Sequence, residues 1–309
     1  MLDVKILDFD FIDIFYNFFI YSFIGWIYES SYVYFKRKIL VNRGFLNGPI
    51  IPLYGCGATF VFILFGQYKG QNLIIFFGGM LVATILEYIT SCLMEIIFHA
   101  KWWDYSDKRF NINGRICLAA SLVWGFLSLL MINVFQPIIV YIINLFRSPY
   151  NIYVAYIIFT VFCLDVIVTV VHTLKLDGLL TNLQNLRVEF SNYMVKMKLY
   201  ESKEDLKNKL FGYKFTELLD NIKKALEENK EKLIKNQGKR KSSHWRGFKK
   251  DVEKHVKEYM SKFQTQVNTI SFVQKRLLKA FPKLAYSKRE DVLKELRERL
   301  QKIRKNKKG

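Results

Sequence analysis

The sequence predicts an all-α fold: a polytopic membrane helical bundle of five spans followed by a cytoplasmic helical, coiled-coil-like basic tail. Three observations carry this expectation. Five apolar stretches crowd into the first 174 of 309 residues. Charge divides sharply, with 11 Lys and Arg against 10 Asp and Glu in residues 1–174, and 36 against 17 in residues 175–309. Nearly all of the formal +20 therefore sits in the second part, where apolar residues recur at helical spacing. A single soluble domain with evenly spread charge is excluded. The division expected is a transmembrane domain over 1–175 and a basic tail over 176–309.

The spans are expected at about 14–35, 51–67, 72–98, 116–135 and 152–174. All but the second reach the roughly 20 residues that a helix needs to cross a hydrocarbon core. The second opens on IPLYGCGATF, whose Gly and Pro content points to a broken or re-entrant start. Pro137 should kink or end the fourth helix, which leaves 138–146 as an extension or an interface-lying piece, with a sixth partial insertion the lesser alternative. The opening MLDVKILDFDFIDIF is acidic and unlike a secretory leader. Cys56, Cys92, Cys117 and Cys163 all fall in apolar segments and read as small buried hydrophobes.

Basic residues mark the cytoplasmic side of a membrane protein. Lys36, Arg37, Lys38 and Arg43 follow the first segment; Lys101, Lys108, Arg109 and Arg115 follow the third. The other side holds Lys69, Arg147 and the acidic N-terminus. Five spans then put the N-terminus outside, and both basic loops and the C-terminus in the cytoplasm, as expected of a multi-pass cell-membrane protein.

An ionisable side chain at membrane depth costs about 3 kcal/mol unless it is paired or faces a cavity. The spans hold Glu29, Glu87, Glu95, Asp165 and His172. Glu87 and Glu95 lie about 80° apart around a helix, so both can face inward, and Asp165 and His172 share a face. Glu29 and Glu95 sit near the cytoplasmic ends, within reach of loop arginines. Glu87 is flanked by apolar residues and is the strongest candidate for a counter-charge or a solute path.

The two basic loops are richer in turn-forming and hydrogen-bonding residues than anchoring requires. The first carries Asn42, Arg43, Gly44, Asn47, Gly48 and Pro49; the second carries Trp102, Trp103, Asp104, Tyr105, Asn111, Asn113, Gly114 and Arg115. Trp102 and Trp103 also suit an interfacial belt. Pairing of Glu29, Glu87 or Glu95 with Arg43 or Arg115 is expected to bind the segments into one unit.

GWIYES (25–30), VNRGFLNGPIIPLYGCGA (41–58), WWDYS (102–106), FNINGRICL (110–118) and SLVWG (121–125) resemble, in order and spacing, the bacterial family of ABC transporter type IV permeases. The resemblance covers about residues 12–175. It implies a multi-span transporter component and brings no assigned catalytic or substrate residues. The chain carries no GxxxxGK[ST] phosphate loop. A permease of this kind would need a separate ATP-binding subunit, docked at 36–50 or 99–115, and five spans suggest a second copy.

In the tail, Leu179, Leu183, Leu186, Phe190, Tyr193, Met197 and Tyr200 follow a four-three alternation, as on a coiled-coil seam. A second segment presents Leu218, Ile222 and Leu226, and Val252, Val256, Tyr259, Phe263 and Ile270 continue in the same style after a break expected at 236–247. Pro282 interrupts, and a last helix is expected over 287–305. A helical hairpin folding on itself explains the stripe as well as a homodimer does. The Lys-rich face suits anionic inner-leaflet lipid; no recognised module indicates nucleic-acid binding.

Three function classes follow: a permease-type component, a non-transporting scaffold or regulator with a basic coiled-coil tail, and an intramembrane enzyme. The last would rely on Glu87, Asp104 and Arg115, but the sequence has no nucleophile–base pair or HExxH. No catalytic, cofactor or metal site is expected.

Overall fold

The structure is a computed structural model that describes residues 5–6, 9–145, 148, 150–197, 222, 227, 242–286 and 289–306. It is all-α apart from two short antiparallel ribbons, β1 (Lys5–Ile6) with β2 (Phe9–Asp10) and β3 (Asn111–Ile112) with β4 (Ile116–Cys117). The chain forms two compact units: Met1–Leu174 with Phe272–Ala285, and Lys175–Ser271 with Tyr286–Gly309.

In the first unit α1 (Phe11–Arg37) carries Asp13 in its first turn and Lys36 and Arg37 in its last, charges that suit the helix dipole. Lys38, at φ 55°, ends it. α2 (Pro52–Phe65) starts with proline in its first turn, where the missing N–H costs no hydrogen bond. It lies close against α1, because Gly25 faces Tyr54 and Gly55 faces Ser22 and the Phe18 carbonyl; a Cβ at either glycine would overlap its neighbour. α3 (Asn72–Phe98) packs on α2 and on α4 (Leu118–Leu130). A π-turn over Met131–Phe135 joins α4 to α5 (Gln136–Leu145). α6 (Asn151–Lys196) follows.

Four of these helices are long and apolar enough to cross a membrane: Phe11–Arg37, Asn72–Phe98, Leu118–Leu145 and Asn151–Lys196. Their outward faces are apolar, as on α3, where Leu73, Phe77, Leu81, Ile85, Ile89 and Leu93 stand exposed in one stripe. A polar solvent would not permit such a surface; hydrocarbon does. The second expected span is different. α2 has 14 residues, about 21 Å, against a core of about 30 Å. Pro137 does not end its helix either. A π-turn lies just before it, in which Gln136 N bonds to the Met131 carbonyl, and 138–145 continue as an extension of the helix.

Tyr21, Val61, Ile75, Met131, Ile132, Ile139 and Ile143 form the apolar core. One polar ladder runs through it. Tyr21 Oη donates to Gln136 Oε1 at 2.8 Å, Gln136 Nε2 to Asn17 Oδ1 at 3.1 Å, and Asn17 Nδ2 to the Asp13 carbonyl at 2.9 Å, so these buried groups have partners.

In the second unit the C-terminal part of α6 pairs antiparallel with α7 (Ser242–Asn268). The Phe190 and Tyr259 rings stack at 4.4 Å, and those of Tyr193 and His255 at 4.0 Å. The buried stripe on α6 is Leu176, Leu180, Leu183, Arg187, Phe190 and Met194, with Leu179 beside it. Leu179, Leu183 and Phe190 of the expected seam are buried, whereas Leu186, Tyr193 and Met197 are only half-buried, so the stripe coincides with the expected seam in part. Tyr200, Leu218 and Leu226 lie outside the described residues. Of the break expected at 236–247, Ser242–Gly247 belong to α7, and 236–241 lie outside the described residues. Val252, Val256, Tyr259, Phe263 and Ile270 are buried. α8 (Phe272–Ala280) belongs to the first unit, and α9 (Glu290–Asn306) packs through Val292, Leu293 and Leu296 in the second. Arg299 of α9 lies over the Phe263 ring at 4.4 Å, and Arg289 pairs with Asp177 at 2.8 Å.

Candidate functional site

The irregular segment between α1 and α2 is the centre of the first unit. Ile51 N donates to the Ser22 carbonyl at 2.9 Å, so α2 starts about 22 Å back along α1 from Arg37. The loop therefore descends along the bundle before α2 begins. Backbone without regular structure is tolerated at such depth only where its polar groups find internal partners.

Here those partners are identifiable. Asn42 Oδ1 accepts from Trp26 Nε1 at 2.8 Å and from Gly44 N at 3.0 Å. Its Nδ2 donates to the Asn47 carbonyl at 2.8 Å and to that of Leu46 at 3.4 Å. Asp165 of α6 accepts from Asn47 N at 3.1 Å, Asn47 Nδ2 at 2.8 Å, Gly48 N at 2.7 Å and Thr169 Oγ1 at 3.2 Å. A side chain at Gly48 would press on Asp165 Oδ2, which explains the small residue. Arg276 of α8 donates to the Gly44 carbonyl at 2.8 Å and the Phe45 carbonyl at 2.6 Å. Three side chains, from the loop, α6 and α8, thus replace the hydrogen bonds that a helix would have supplied.

Beside the loop lies a belt of carboxylates and aromatic donors. Tyr54 Oη donates to Glu29 Oε1 at 2.9 Å, and Arg43 Nε stands 3.7 Å from Glu29 Oε2. Trp124 Nε1 donates to Glu87 Oε2 at 2.9 Å and Tyr105 Oη to Glu87 Oε1 at 3.2 Å. The Tyr54 and Trp124 rings meet at 4.9 Å, which joins the two halves. Residues of α1, α2, α3, α4 and both loops are tied together in this way. Burial, and then the Glu87 charge, push the Tyr105 phenol well above its usual value, so it keeps its proton and stays a hydrogen-bond donor to Glu87. Burial lowers the Arg43 guanidinium and Glu29 partly offsets this.

The second loop is a hairpin. Asn113 and Gly114 take φ of 54° and 69°, and a Cβ at Gly114 would also crowd Asp104 and Ser106. Asp104 Oδ1 accepts from Ser106 Oγ at 2.6 Å and Ser106 N at 2.9 Å, and these bonds hold its carboxyl below the ordinary range. Trp103 Nε1 donates to the Arg115 carbonyl at 2.9 Å. Arg115 pairs with Glu95 at 2.8 Å and lies 5.5 Å from the Tyr88 ring, while Asn113 Nδ2 reaches Tyr88 Oη at 3.0 Å.

The expected arginine pairs are both present, Arg43 with Glu29 and Arg115 with Glu95; Glu87 instead takes its partners from Tyr105 and Trp124. Asp165 serves the first loop, whereas His172 contributes its carbonyl to Gln274 Nε2 at 3.0 Å and leaves its buried Nδ1 without a hydrogen bond. Of the trio considered for an enzyme, Asp104 accepts from Ser106, Arg115 pairs with Glu95, and Glu87 accepts from Tyr105 and Trp124. Pro49 lies between Gly48 and the start of α2 and has no N–H to donate. Trp102 is no interfacial anchor, being buried at 3 % exposure. Among the described residues no group of three or more His, Cys, Asp or Glu is placed to hold a metal ion.

Sequence reasoning passed over several contributors. Tyr54 and Trp124 stand in IPLYGCG and SLVWG, where a ring with a donor inside an apolar span was the available signal. Arg276 gave none. The segment around it, 272–285, lies across both loops. Arg43 donates to the Ala280 carbonyl and lies 4.7 Å from the Phe281 ring. Phe281 meets Trp102 edge-on at 4.9 Å, and Trp102 meets Phe45 at 5.0 Å. Lys101 and Ala285 exchange backbone hydrogen bonds at 2.9 and 3.0 Å, and Lys283 reaches the Asp104 carbonyl at 3.2 Å.

A bundle of apolar-faced helices with its polar groups gathered inward defines the class, a multi-pass membrane protein. The chain belongs to the family described as "Putative ABC-transporter type IV", which matches residues 16–170. Neither a curated protein nor a solved structure matches it.

Proposed function

We propose that the chain is the permease-type membrane component of an ABC transporter, with ATP hydrolysis supplied by a separate subunit. The observation that carries this reading is the family match, which coincides with the bundle and includes the Glu29–Tyr54–Trp124–Glu87 belt. The absence of a phosphate loop from the sequence supports the separate subunit. In this reading the chain passes the membrane five times, with the descending loop and short α2 together making the second crossing. The basic loops and the C-terminus then face the cytoplasm, and the partner docks on the loop side. The tail's Lys-rich surface rests on anionic lipid, and a second copy completes the assembly.

A photo-crosslinker at exposed Lys108 should capture an ATP-binding subunit in native membranes. Capture of no such protein would overturn the docking reading. A non-transporting scaffold is the second reading, and one observation favours it: residues 272–285 of the same chain already cover part of the loop side.

A further inference from the structure

A cleft of about 590 Å³ runs between α1 and α4, with α2 as its floor. That volume is within the range of about 300–1,000 Å³ usual for small-molecule sites. Its walls include Tyr28 and Tyr32 of α1, Gly57 of α2, Ala83 of α3, and Trp124 and Met131 on the α4 side. Between Tyr21 and Phe35, both in its lining, α1 advances about 21 Å, so the cleft is long rather than round. It opens outward, where Ile27, Phe35, Leu130 and Phe135 form exposed apolar lips on the surface that faces hydrocarbon.

Two further features mark what it would hold. Gly57 sits in the interior of a helix, where glycine is unfavourable, yet a Cβ there would meet nothing within 4 Å. Gly25 and Gly55 permit close helix contact; Gly57 does not, and its missing side chain keeps the cleft wide. At the loop end the rim is cationic: Lys36 Nζ lies 3.5 Å from Tyr32 Oη, and Lys38 Nζ lies 5.9 Å from the Phe35 ring.

We propose that this cleft binds one acyl chain of an anionic phospholipid, the chain lying along Gly57 and the aromatic wall and the phosphate meeting Lys36 and Lys38. An open apolar trough with positive charge at one end complements an amphiphile whose charge is negative and terminal. The claim concerns binding only and does not rest on transport.

The test uses the full chain in lipid nanodiscs containing phosphatidylglycerol or phosphatidylcholine with a diazirine in the acyl chain. Peptides spanning 28–35 and 124–135 should take up about tenfold more phosphatidylglycerol label than the outward stripe of α3. Gly57→Leu should remove that excess and leave the α3 label unchanged. Lys36→Gln with Lys38→Gln should abolish the preference for phosphatidylglycerol. Equal labelling of cleft and stripe, an unchanged excess in Gly57→Leu, or equal uptake of both lipids by the unaltered protein would overturn the proposal. Should Gly57→Leu fail to fold, unlabelled phosphatidylglycerol is added to the unaltered protein. Selective loss of cleft label supports the site, and uniform loss refutes it.

Discussion

Asn42 alone makes four hydrogen bonds that shape the first loop, two as acceptor and two as donor. Truncation leaves buried partners unsatisfied, at about 1–3 kcal/mol for each group that water cannot reach. Asn42→Ala should therefore lower stability by about 2–4 kcal/mol, read as a lower thermal midpoint in detergent. A midpoint unchanged from the unaltered protein would mean the loop is held by other contacts. Asp104 permits a pH test. Its folded carboxyl is held down by the Ser106 hydroxyl and amide, so its contribution is present above the usual aspartate value and is lost as pH falls through the depressed one. Ser106→Ala should move the carboxyl titration upward in NMR, and an unmoved titration would remove the assigned cause.

Among the elements, α8 and the turn after it have most at stake. Arg276 offers a planar fork to two adjacent carbonyls, a geometry that lysine cannot copy. Arg276→Ala should expose the 38–51 loop to limited proteolysis, and Arg276→Lys should rescue it only in part; full rescue would contradict the fork. Phe281→Ala removes a ring packed on Trp102 and Arg43, and should cost about 3 kcal/mol. Glu95→Arg should destabilise the hairpin by about 1 kcal/mol or less, since both partners are partly exposed, and adding Arg115→Glu should restore it. Failure of the exchange to restore stability in a double-mutant cycle would remove the ion pair from the account.

Over the whole molecule, the helices were legible because lipid imposes one rule, about 20 apolar residues in a row, and α1, α3 and the α4–α5 helix obey it. Glu29 and Glu95 were legible as arginine partners because charges near the ends of spans seek loop charges. The depth of the 38–51 loop was visible only as composition, since the groups that satisfy it lie far off in sequence at Asp165 and Arg276. No local pattern marks a residue 232 positions away as a partner. The seam on α6 was legible only in part for a related reason: a four-three pattern permits neighbouring registers, and contacts with α7 decide which of its residues are buried.

The permease reading makes a prediction at this scale. Purified through this chain in mild detergent, the complex should contain an ATP-binding subunit in fixed proportion, and its ATP hydrolysis should fall when Glu87→Gln alters the carboxylate belt. Recovery of the intact chain without any ATP-hydrolysing partner would contradict it, and the scaffold reading would stand.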